Sequence, residues 1–112
     1  MNDYSRPVTT TVLTRHETEA RLTAVAPEIR ALGVVRLALF GSVLRDQARP
    51  DSDVDFLVQF APGQKTFNHF EALADLLERQ LGHRVELVTT EALSPYLGPR
   101  ILAEARDVLR AA

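Results

Sequence analysis

Asp53 and Asp55 flank Val54 at the head of an apolar run that reaches Phe60. In an extended strand, side chains alternate, so the two carboxylates project from one face while Val54, Phe56, Val58 and Phe60 project from the other. Like charges held that close repel, and a cation between them relieves the repulsion. Mg²⁺ suits such a pair, because it binds through a few carboxylates together with the phosphates of a substrate. The chemistry implied is metal-dependent handling of a nucleoside triphosphate, in which positioning and charge neutralisation carry most of the work.

Further residues fit the same chemistry. Gly41-Ser42 follows the apolar run Val34 to Phe40, and a residue without a side chain lets backbone amides approach phosphate oxygens. Ser42 adds a hydroxyl donor, and Arg45 a guanidinium able to grip a phosphate in bidentate fashion; Arg49 is a weaker second choice. A third acid is expected on a neighbouring strand. Glu86, within Arg84-Val85-Glu86-Leu87-Val88, alternates against Val85 and Leu87 and is the best candidate for third metal ligand or general base. Asp51 is close to the pair, but as a loop residue it has no fixed direction.

Each feature alone has a plainer explanation. A Gly-Ser after a strand is usually a turn, acids commonly decorate edge strands, and a single Arg or Glu is usually a surface charge. The plain explanations do not require these features to coincide in order, and here they do. His16, His69 and His83 show no ligand-like spacing, and the stripe Phe67, Phe70, Leu73, Leu77 reads as core packing.

The elements that must position these residues follow from periodicity. Residues 1–10 read as a loose arm, and Val12 to Leu32 as helix interrupted by Pro27 and closed at Gly33. Strands are expected over residues 34–40, 54–60 and about 85–88, with a turn, or one helical turn, and a loop over residues 41–52. Residues 67–81 form an amphipathic helix stopped by Gly82, and Glu91 to Leu109, broken by Pro95, Gly98 and Pro99, reads as two short helical pieces. The expected fold is α/β (α+β): a small mixed β-sheet with helices packed mainly on one face.

Composition bounds the rest. The 112 residues, 46% hydrophobic and 25% charged, suit a single folded domain, with no room for a second substrate-binding domain. A net charge of −2 and a pI near 5.9 argue against binding a long nucleic acid duplex, which takes many phosphate contacts. The absence of cysteine excludes disulfides and thiolate zinc sites. No apolar run approaches the roughly 20 residues of a membrane span, and Met1 to Arg6 lacks the apolar core of a secretory signal, so a soluble, cytoplasmic protein is expected. Self-association is left open.

Phe40-Gly41-Ser42 followed by Asp53-Val54-Asp55 resembles the minimal nucleotidyltransferases of the DNA polymerase beta superfamily, and the stretch from Arg84 to Ser94 is similar to that family's third-acid strand. The resemblance covers roughly residues 30–105. It implies a polymerase-beta-like nucleotidyltransferase core, with Asp53, Asp55 and Glu86 holding Mg²⁺, two ions in all, and Gly41, Ser42 and Arg45 binding the nucleotide. Members of this size are similar to antitoxins of HEPN-domain ribonuclease toxins, which implies transfer of AMP from ATP to a hydroxyl side chain of the toxin. The alternative is a module that neutralises its partner by occlusion. The chain departs from the family at Glu86, where Asp is more usual, and at Leu44-Arg45-Asp46, where Asp46 is expected to bring a negative charge near the phosphates.

Overall fold

The computed structural model describes residues 12–110; the arm expected over residues 1–10 lies outside them. The first helix, α1 (Arg15–Ala24), begins on a capping box, in which Thr14 Oγ1 accepts from the Glu17 amide at 3.1 Å and the Thr14 amide donates to Glu17 Oε1 at 3.3 Å. Helix α2 (Ala26–Ala31) restarts after Val25 with Pro27 in its first turn, where a missing N–H costs nothing. The break expected from Pro27 therefore separates two helices.

Strand β1 (Val34–Phe40) leads straight into the single turn α3 (Gly41–Leu44), and β2 (Val54–Phe60) follows the connecting loop. Helix α4 (Phe67–Leu81) is capped by Thr66 and ends at Gly82, whose φ of 71° is the left-handed conformation that glycine adopts readily. Strand β3 (Val85–Thr89), a short 3₁₀ turn (Thr90–Ala92), helix α5 (Gly98–Glu104) and strand β4 (Arg106–Arg110) complete the described chain.

The sheet order is β3-β2-β1-β4; β1 pairs antiparallel with β2 and with β4, and β2 pairs parallel with β3. This register sorts side chains by face. Leu37 opposite Val58, Leu39 opposite Phe56, and Val54 opposite Val85 lie on the core side. Leu22 of α1, Ile29 of α2, and Leu73, Leu77 and Leu81 of α4 complete that core. The other face carries Phe40, Asp55 and Glu86 in adjacent register positions. Burying one face against helices is what fixes the pairing register, since a one-residue slip would exchange the faces.

Two expectations from the sequence fail. The tail does not end in a second helical piece: residues 106–110 form the edge strand β4, with Leu109 buried. Charge helps to dock it, since Asp107 accepts from Arg36 Nε of β1 at 2.6 Å and from Arg110 at 2.7 Å. Nor does Phe67 join the core stripe. It is the first residue of α4, ahead of the turns that lie on the sheet, and is 76% exposed.

Candidate active site

The register gathers three strand positions at one end of the sheet. Phe40 is the partner of Asp55 across the antiparallel β1–β2 pair, and Asp55 is the partner of Glu86 across the parallel β2–β3 pair. Gly41 follows Phe40 directly, so the glycine turn opens beside Asp55. Asp53 sits immediately before β2, with its Oδ1 at 3.7 Å from Arg84 Nε. The strand ends thus bring Asp53, Asp55, Glu86 and the Gly41-Ser42 turn into one neighbourhood.

Asp55 carries the electrostatic consequence. Burial, followed by the charges of Glu86 and Asp53, pushes its carboxyl up from 3.8 to about 6; Arg45 opposes the rise and Glu104 adds to it. Three hard oxygen donors with excess negative charge fit a divalent cation, and Asp53, Asp55 and Glu86 are the residues that would hold Mg²⁺. Among the described residues, no group of three or more His, Asp or Glu side chains is gathered tightly enough to hold a metal ion as it stands. Asp53 Oδ1 lies instead 3.7 Å from Arg84 Nε.

Gly41 is required twice over. Its φ is +81°, and a β-carbon built on it would overlap the Asp55 carboxylate. The Gly41 amide donates to Glu104 Oε2 at 2.8 Å, and Arg45 Nη1 donates to the same oxygen at 2.7 Å. Ser42 is partly exposed in the α3 turn. Arg49 and Asp51 are exposed in the loop, where the Arg49 amide donates to Ser52 Oγ at 2.8 Å.

Asp46 makes a contact that the sequence did not suggest. It adopts a left-handed φ of 54°, tolerated by Asp, and its Oδ1 accepts from the Arg15 amide at 2.9 Å. Its charge thereby faces the positive start of α1. Glu104 was not foreseen: it lies 63 residues from Gly41, and nothing local marks it as a partner of the turn.

A glycine turn leaving one strand, set against an acid-bearing neighbour in a small mixed sheet, defines the core of a nucleotidyltransferase. The chain belongs to the nucleotidyltransferase domain family, which it matches over residues 22–108. It is 39% identical over 94 residues to the protein adenylyltransferase MntA of Thermococcus cleftensis, covering 83% of this chain and 94% of that protein. A solved minimal nucleotidyltransferase, so described as a candidate, superimposes with a TM-score of 0.66 at 41% identity, over 82% of this chain and 89% of the other. The fold also matches a chain of a complex between a tri-AMPylated HEPN toxin and an MNT antitoxin from Shewanella oneidensis, with a TM-score of 0.60 at 19% identity, over 84% and 73% of the two chains. The polymerase-beta-like core expected from the motifs is thus the fold of this protein, and nucleotidyl transfer is its class of chemistry.

Proposed function

We propose that this chain transfers AMP from ATP, with Mg²⁺, to a hydroxyl side chain of a partner protein, and that the partner is a HEPN-domain ribonuclease toxin neutralised by the modification. The observation that carries the reading is Asp55, set between the glycine turn and Glu86 with its carboxyl raised by burial and then by neighbouring negative charge. The relative from Thermococcus cleftensis, named a protein adenylyltransferase, and the solved toxin–antitoxin complexes support the choice of acceptor. Such a pair would operate in the cytoplasm; among the described residues no helix is long and apolar enough to cross a membrane.

In this mechanism the Gly41 amide, the Ser42 hydroxyl and the Arg45 guanidinium bind phosphate oxygens of ATP and fix the chain of phosphates against the sheet. Bound by Asp53, Asp55 and Glu86, Mg²⁺ supplies neutralisation of the phosphate charge. The partner's hydroxyl oxygen attacks the α-phosphorus, forming a new P–O bond as the bond to pyrophosphate breaks. Its proton passes to a carboxylate. Glu86, the most exposed of the three acids, is assigned that role. Tyr96, Leu97 and Leu102, large and exposed on the segment that leads to Glu104, offer a protein partner apolar surface.

Neutralisation by occlusion is the second reading, favoured by Glu104, which already takes the Gly41 amide and the Arg45 guanidinium. Co-expression with the toxic product of a neighbouring gene separates the two. Transfer predicts growth with the native chain and arrest with the Asp53→Ala, Asp55→Ala double variant. Equal rescue by both at matched protein levels would reject transfer in favour of occlusion.

A further inference from the structure

Two donors from different parts of the α3 turn, the Gly41 amide and Arg45 Nη1, converge on one oxygen, Glu104 Oε2, at 2.8 and 2.7 Å. Convergence of a backbone N–H and a guanidinium on a single anionic oxygen is how proteins bind phosphate. The acid comes from the last residue of α5, 63 and 59 positions away from its partners. It enters a neighbourhood that already holds Asp53, Asp55 and Glu86, where another negative charge is repelled.

From this geometry we infer that Glu104 is an internal competitor for the triphosphate: its carboxylate occupies the phosphate-binding donors, and ATP must displace it to bind. The inference rests on the reading of Gly41 and Arg45 as phosphate ligands given above, and adds a residue that sets the affinity of that site. Because the donors are free only while Glu104 is turned away, the apparent affinity of any phosphate-bearing ligand that must displace it falls by the same factor, and Glu104 thereby sets the affinity of the site. Displacement needs only rotation of the Glu104 side chain, which is about one-third exposed at 34%, and leaves Arg45 free to turn to the ligand.

Isothermal titration of the full chain with AMP-PNP and Mg²⁺, comparing wild type with Glu104→Gln, tests the idea. Removing the competing charge should tighten binding about threefold or more, the scale of an exposed charge pair. In an Arg45→Ala background the gain should shrink. Inorganic tripolyphosphate, which must displace the same carboxylate, should gain by a similar factor. A second measurement uses the unmodified chain: the Gly41 amide resonance should shift on adding inorganic tripolyphosphate, as its acceptor changes from carboxylate to phosphate. If Glu104 instead holds Arg45 in its productive pose, Glu104→Gln will bind AMP-PNP more weakly; unchanged or weaker binding overturns the inference and leaves the site reading intact. Absence of AMP-PNP binding in both proteins, with no shift at Gly41, overturns the site reading and the inference together.

Discussion

Gly41 and Asp55 are in such close approach that the glycine has no room for a β-carbon: the added atom would overlap the carboxylate, and the backbone there has a φ of +81°. Placing an L-residue in that conformation costs roughly 1–2 kcal/mol before any clash is counted. Gly41→Ala should therefore destabilise the fold by about 2 kcal/mol or more, and displace the Asp55 side chain. Urea unfolding measures the first effect, and loss of transfer by the fraction that remains folded measures the second.

The raised carboxyl of Asp55 predicts a pH dependence of stability. The group titrates at about 6 in the folded chain against an ordinary 3.8, so between those values the native state holds a proton that the unfolded state has lost. The stabilisation linked to that proton is fully present below about pH 4 and lost as pH rises through about 6. Asp55→Asn removes the charge. Without divalent ions, its melting temperature should exceed that of the wild type above about pH 7, with the difference closing toward about pH 4. A constant difference across that range would show that burial and the neighbouring charges do not raise the Asp55 carboxyl.

Leu109 tests the edge strand. It is only 5% exposed and packs into the main core, although it lies in the last described element. Leu109→Ala should cost about 2–4 kcal/mol in denaturant unfolding, as for a buried leucine elsewhere. A cost below about 0.5 kcal/mol, the usual scale of surface substitutions, would mean that β4 does not contribute to the core.

Ligand binding should raise stability by mass action. At about one hundred times the dissociation constant, Mg²⁺ with AMP-PNP should add roughly 2.7 kcal/mol, and chelation of the metal should reverse most of the gain. The melting curve of Asp53→Ala, Asp55→Ala should be nearly indifferent to the same additions. A shift equal to that of the wild type would remove these two acids from the site.

Much of this was legible in the sequence, for identifiable reasons. The strand Val34–Phe40 announced itself by an almost unbroken apolar run, and α4 by apolar spacing closed at Gly82. Asp55 and Glu86 could be put in neighbouring strands because strand alternation ties direction to position, and they pair in register. Strand β4 could not, because only Val108 and Leu109 are apolar among its five residues, and one of its anchors, Arg36, lies 71 residues away. Glu104 escaped for the same reason: its partners are set by how α5 returns to the sheet, which no local pattern encodes. The contact of Asp46 with the start of α1 was equally hidden, because Arg15 lies 31 residues away.

The central claim is that Asp53 and Asp55 serve nucleotidyl transfer to a protein. Its most direct test is the label acquired by the purified partner from α-labelled ATP and Mg²⁺ in the presence of this chain. The account predicts labelling by the native protein and a fall to the enzyme-free background with Asp53→Ala, Asp55→Ala, both proteins being folded. No label from the native chain, or equal label from the double variant, would contradict it.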